Sequence, residues 1–245
     1  MTPSPSGGSP ATDAALWGSL HRRIIWFFVL LALRAILMFG SRTKVVFVGN
    51  PPGNEPLILA SNHVSHFDPP LIALAFPRPV DWMAMVELYT TGWSRRFFRA
   101  VNTIPVRRGA PDRAALREAV ARLGAGRVVG VFPEGGIRDG AASLLAGAPP
   151  LRGAGMLARM SGARVVPCVI LGSDRLYNLK RWSPWHRATV WIAFGEPFSA
   201  NPEDDTFSTQ LLESIKGLRD RLLTSEGATS ADLPRSPKER MHEVV

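Results

Sequence analysis

Between Lys44 and Phe194 short β-branched runs bounded by Gly, Pro or Asn alternate with stretches of helical spacing, and this alternation most restricts the fold. Strands are predicted over Lys44–Val48, Leu57–Ala60, Val80–Val86, Asn102–Val106, Arg127–Val131, Val165–Leu171 and Thr189–Phe194. Asp112–Leu123 brings Leu116, Ala119, Val120 and Leu123 onto one helix face, with Pro111 before it and Gly124 after. Leu151–Ser161 and Thr206–Leu223 are further helices, and no internal repeat is seen. Strand–helix alternation predicts the α/β class: a mixed, mainly seven-stranded sheet flanked by helices.

The ends of the chain read differently. Residues 1–13, rich in Pro, Ser and Gly, are a predicted disordered leader, and 225–245 turn polar and aperiodic, a predicted flexible tail. Between these lie a predicted membrane-associating helix over 14–42 and a core domain over 43–224. The apolar run from Ile24 is cut by Arg34, short of the roughly 20 residues a membrane span needs. An in-plane helix with Arg34 reaching headgroups is favoured; a short tilted span and a buried core helix stay open. No small-x-small site follows that would mark a cleaved signal peptide.

A net charge of +9 calls for an anionic partner: nucleic acid, an anionic bilayer or a phosphorylated substrate. Six arginines between Arg95 and Arg113, interleaved with Phe97 and Phe98 and preceded by Trp93, suit stacked bases or an anionic membrane surface. Beside an apolar N-terminal helix the membrane reading is preferred, and no nucleic-acid partner is expected. Trp182, Trp185 and Trp191 suit interface anchoring or core packing equally. The single cysteine, Cys168, sits in an apolar run as a small buried hydrophobe.

The stretch from Ser61 to Pro70 (SNHVSHFDPP) follows a β-like run. Asp68 before two prolines reads as a helix N-cap with Pro69 at the first helical position, leaving His63 in the loop ahead. Residues five apart on a continuous helix diverge by about 140°, so a His63–Asp68 contact needs such a break. As a dyad, Asp68 fixes the tautomer of His63 and the other ring nitrogen takes a proton. Alternatively, Asp68 only caps the helix and His63 satisfies loop backbone. His63, His66 and Asp68 could be metal ligands, but no further cluster completes a set, so no metal is expected. Ser65 lacks a Gly-x-Ser-x-Gly setting.

A second stretch, Val128 to Gly140, ends a buried strand at Phe132 and opens a glycine loop at Glu134, Gly135 and Gly136, with Arg138 behind it. Exposed N–H groups beside a guanidinium form an anion site, although a glycine loop is as often a plain turn.

Together these stretches resemble the glycerolipid acyltransferase family, which includes bacterial 1-acylglycerol-3-phosphate acyltransferases. Its Asn-His, four residues, Asp signature is met by Asn62, His63 and Asp68; its Phe-Pro-Glu-Gly block by Phe132, Pro133, Glu134 and Gly135; its Val-Pro strand by Val165–Ile170. The likeness covers roughly Leu57 to Pro197. Two departures stand out. Where the family's second block ends Asp-Arg, this chain has Arg107-Arg108, and Gly136-Ile137-Arg138 replaces Thr-Arg.

The resemblance implies acyl transfer from acyl-CoA or acyl carrier protein to a lysophospholipid hydroxyl, at the cytoplasmic face of the inner membrane. It implies His63 and Asp68 as the catalytic pair and no bound cofactor. Arg107, Arg108, Glu134, Gly135, Gly136 and Arg138 are the implied substrate-binding set, with 1-acylglycerol 3-phosphate the expected acceptor. The two departures keep another lysolipid or an amino-acid-derived lipid open as acceptor. A non-catalytic protein holding anionic lipid is the rival outside the enzyme class.

Overall fold

The computed structural model describes residues 28, 31, 34, 35, 40–49, 53–109, 111–182, 185–200 and 206–241. The expected leader, most of the expected membrane-associating helix and the last four residues lie outside them. Phe28, Leu31, Arg34 and Ala35 are helical. Among the described residues no helix is long and apolar enough to cross a membrane.

All seven expected strands form: β1 (Ser41–Phe47), β2 (Leu57–Ser61), β3 (Val80–Met85), β4 (Ile104–Val106), β5 (Val128–Val131), β6 (Arg164–Leu171) and β7 (Ala188–Phe194). They build one sheet in the order β1-β7-β6-β2-β5-β3-β4. From β6 to β4 neighbouring strands are parallel; β7 runs antiparallel to β6, and β1 parallel to β7. The sheet is therefore mixed, as expected. β2, with every residue buried, occupies its centre.

Alternation along β2 divides the core in two. Ile58 and Ala60 face one apolar cluster with Ala119, Leu157, Leu211 and Ile215; Leu57 and Leu59 face the other with Leu71, Ile72 and Phe76. The first is roofed by α3 (Arg113–Gly124), α4 (Arg152–Ser161) and α5 (Phe207–Ser225), the second by α1 (Asp68–Ala75). α3 starts where Asp112 accepts the N–H groups of Ala114 and Ala115. Burial on both faces of the central strands explains why they read as continuous apolar runs.

Three expectations change. Asp68 is not the N-cap of α1: Phe67 takes that place, Asp68 is the first helical residue, and its carboxylate turns back into the preceding loop. α2 (Gly92–Ala100) was not foreseen, being short and arginine-rich; Thr91 and Ser94 start it with a reciprocal capping pair. The expected flexible tail does not fray over 226–241. It carries a short helix, α6 (Pro237–Met241), and fully buries Arg240 against Asp174, an ion pair that a polar composition does not reveal.

The tryptophans divide as well. Trp191 is core beneath the ammonium group of Lys44, Trp182 donates to the Leu176 carbonyl, and Trp185 stands exposed. Cys168 is wholly buried, and burial pushes its thiol well above the usual range, consistent with an inert hydrophobe.

Candidate active site

The carboxyl ends of three adjacent parallel strands, β6, β2 and β5, meet in one place, where crossovers leave the sheet in opposite directions. Open α/β sheets bind ligands at such switch points. β2 delivers the loop of His63, β5 the glycine loop, and β6 the turn Ser173–Tyr177.

Asn62 extends the β2–β6 ladder with its side chain. Its amide donates to the Ile170 carbonyl at 2.9 Å and accepts the Ile170 N–H at 2.8 Å. The chain leaves the sheet from this pinned residue, so His63 emerges at a fixed height. Its backbone N–H donates to Glu134 Oε2 at 2.5 Å, and its carbonyl accepts the Arg138 N–H at 2.9 Å. The glycine loop thus grips His63 by both backbone groups.

The ring of His63 is set independently. It stacks on Phe132 at 4.0 Å between centroids and 16° between planes, and Phe132 stacks on Trp82 at 4.6 Å. His63 Nδ1 lies 2.8 Å from Asp68 Oδ2. A carboxylate only accepts, so the ring proton belongs on Nδ1 and Nε2 keeps its lone pair. Among the described residues nothing hydrogen-bonds Nε2. The His63 side chain is 15 % exposed while that of Asp68 is wholly buried, so the pair reaches solvent only through the imidazole.

Five hydrogen bonds converge on Asp68. Oδ2 accepts from His63, from the Val64 N–H at 2.7 Å and from the Ser65 N–H at 2.8 Å; Oδ1 accepts from Ser65 Oγ at 3.0 Å and Ser173 Oγ at 2.5 Å. These donors replace water around the buried Asp68 carboxylate. Ser173 had no sequence signal, lying 105 residues from Asp68.

Glu134 departs from its expected role. Besides the His63 N–H, its carboxylate accepts Ser143 Oγ at 2.9 Å and the Leu144 N–H at 2.7 Å. Both oxygens are occupied inside the fold, so Glu134 holds the loop of His63 and is not free to bind substrate. Burial pushes its carboxyl up to about 7, against the opposing hydrogen bonds from Leu144, His63 and Ser143. Gly135 adopts φ +68°, where an added Cβ would collide with Leu151. Its N–H is spent on the Phe132 carbonyl, whereas the Gly136 N–H has no partner among the described residues.

Of the arginines, Arg108 and Arg138 come to this loop. Arg108 reaches the Gly135 carbonyl at 3.4 Å, and Arg138 is anchored through its backbone to His63 with its side chain exposed. Arg107 does not join them: its backbone N–H donates to Asp112, whose carboxyl is held low first by that bond. His66 is exposed and pairs with Tyr177 Oη at 2.6 Å through Nδ1, outside the dyad. Among the described residues no group of three or more metal-ligating side chains forms.

Comparisons with known proteins bear on the family and the fold. The acyltransferase family model matches residues 42–171. A 1-acyl-sn-glycerol-3-phosphate acyltransferase of Bacillus subtilis (strain 168) is 27% identical over 167 residues, covering 68% of this chain and 78% of that protein. The crystal structure of the 1-acyl-sn-glycerophosphate (LPA) acyltransferase PlsC from Thermotoga maritima shares the fold. Its TM-score is 0.59 at 24% identity, with 87% of each chain covered. With the family model spanning more than half the chain and the His63–Asp68 pair set at the carboxyl ends of its central strands, this protein belongs to the acyltransferase family.

Proposed function

We propose that this acyltransferase moves a fatty acyl group from an acyl thioester, acyl-CoA or acyl carrier protein, to the free hydroxyl of 1-acylglycerol 3-phosphate. The observation that carries the reading is His63, with Nδ1 bound to buried Asp68 and Nε2 open. Nε2 takes the proton of the acceptor hydroxyl as its oxygen attacks the thioester carbonyl. The C–S bond then breaks, and the imidazolium returns the proton to the leaving thiolate. The free Gly136 N–H is a donor suited to the developing oxyanion. General base help contributes about 10²–10⁴ in rate, so alignment of hydroxyl and thioester supplies much of the rest.

The named activity of the Bacillus subtilis relative and the exposed Arg108 and Arg138 beside the loop support a phosphorylated acceptor. Exposed Phe28 and Leu31 and the Trp93–Phe97 ridge of α2, flanked by Arg96, support attachment to the anionic cytoplasmic leaflet. No bound cofactor enters this chemistry.

The test is purified protein with one acyl thioester and a panel of lysolipids. Preferential acylation of 1-acylglycerol 3-phosphate is expected, with loss of transfer in His63→Ala. Equal use of a neutral acceptor, unaffected by Arg108→Ala, would overturn the choice of acceptor.

A further inference from the structure

The turn that supplies Ser173 to Asp68 is tied on its other side to the end of the chain. It begins at Gly172, held at φ +78° where a Cβ would run into the Thr189 carbonyl oxygen. Successive residues of such a 3₁₀ turn point about 120° apart, so Ser173 and Asp174 face different surroundings. Ser173 Oγ donates to Asp68 at 2.5 Å. Asp174 Oδ2 accepts Arg240 Nε at 2.6 Å and the Arg235 N–H at 2.9 Å. The side chains of Asp174 and Arg240 are both wholly inaccessible. Arg240 also donates to the Leu233 carbonyl, and Arg175 ties the same turn to Asp232 at 2.5 Å and to the Ala231 carbonyl at 2.7 Å.

A fully buried ion pair is an inefficient way to add stability, because desolvation offsets most of the attraction; apolar residues of similar volume would serve as well. What charge and a planar guanidinium provide is direction. Here the pair fixes the residue beside Ser173 and so the line along which the Ser173 hydroxyl meets Asp68.

We propose that the C-terminal segment 229–241 positions the catalytic dyad from outside the motif-bearing part of the chain, with Arg240, through Asp174 and Ser173, orienting the Asp68 carboxylate toward His63. Arg240 and Ser173 are positioning residues; neither touches the reacting atoms. The inference rests on the reading of His63 and Asp68 as the catalytic pair.

It is tested in the full-length protein by kcat and KM for acyl transfer from acyl-CoA to 1-acylglycerol 3-phosphate, beside melting temperatures. Ser173→Ala and Arg240→Gln are each expected to lower kcat about tenfold, with both KM values changed by less than about threefold, as for loss of an interaction that acts on the transition state. Asp174→Asn combined with Arg240→Gln, which restores a neutral hydrogen-bonded pair, should recover most of the kcat lost in Arg240→Gln. Adding Arg240→Gln to Ser173→Ala should cost less than about threefold more, since the connection is already cut.

If Arg240→Gln lowers the melting temperature but keeps full kcat well below it, the tail is a stabiliser only and the proposal fails. Should Arg240→Gln not fold, Arg175→Gln loosens the same turn, and full kcat there is equally fatal. The dyad reading fails separately, on an active His63→Ala. An inactive His63→Ala beside fully active Ser173 and Arg240 variants overturns only the role of the tail.

Discussion

Glu134 holds His63 by its main chain: Oε2 of the glutamate accepts the histidine N–H at 2.5 Å, which leaves the ring to Asp68. The Glu134 and Asp68 carboxylates therefore divide the backbone and the imidazole of His63 between them. Their burial also gives Glu134 an unusual acid–base character, which leads to the first prediction.

Burial raises the Glu134 carboxyl from an ordinary 4.5 to about 7. Between those values the folded protein keeps a proton that the unfolded chain has released. The resulting stabilisation is full below about 4.5 and is lost as pH rises through about 7, a change on the order of 3 kcal/mol. Glu134→Gln cannot titrate. The stability of the wild type relative to this variant, read by urea unfolding, should therefore fall between about pH 5 and about pH 8. A constant difference across that range would mean that Glu134 stays ionised in the fold.

Only one of the two histidines near the site meets a buried carboxylate. His63→Ala should lower kcat by about 10²-fold or more, while His66→Ala, which removes a rim contact to Tyr177, should stay within about tenfold of wild type. A chelator should leave the rate unchanged. Loss restored by added metal would revive His63, His66 and Asp68 as ligands.

The arginines should separate by position. Arg108→Ala and Arg138→Ala are expected to raise KM for a phosphorylated acceptor roughly ten- to hundredfold, the loss of a charged hydrogen bond of about 1.5–3 kcal/mol, with little effect on KM for the thioester. Arg107→Ala should stay close to wild type, because Arg107 lies at the Asp112 cap and not at the glycine loop. Steady-state kinetics on the three variants decide this. An Arg107 effect as large as that of Arg108 would mean that the two act together on the acceptor.

Membrane attachment is expected to have two parts. Deletion of residues 1–39 should release most of the protein from vesicles. Within the full chain, Trp93→Ala with Arg96→Glu should weaken binding to anionic vesicles and leave binding to neutral ones nearly unchanged. Co-sedimentation with both vesicle types measures it. Undiminished anionic binding by the double variant would restrict attachment to the N-terminal region.

What the sequence allowed one to read follows from the range of each interaction. Burial on both faces made β2, β5 and β6 visible as apolar runs, and the five-residue spacing of His63 and Asp68 kept the dyad within one local segment. The grip of Glu134 on His63 spans 71 residues and the bond from Ser173 to Asp68 spans 105, so neither leaves a local pattern. Asp68 shows how a local rule can mislead. Asp before Pro-Pro ordinarily caps a helix, but here the carboxylate gains more donors by turning back to Val64 and Ser65. The tail was misread for a similar reason: one of two arginines in a polar stretch does not announce a buried partner 66 residues away.

The position of β4 has a further consequence. His63 rises from the central strand, secured on either side by β5 and β6, whereas Arg108 follows an edge strand of three residues that, among the described residues, pairs only with β3. On the proposed reaction, proton transfer is built on the doubly paired centre of the sheet and headgroup recognition on its singly paired margin. Substitutions along β4 and the segment behind it are expected to change the preference among lysolipids more than the rate of the chemical step, which acceptor panels on such variants would measure. The paired arginines at 107 and 108 lie in that margin.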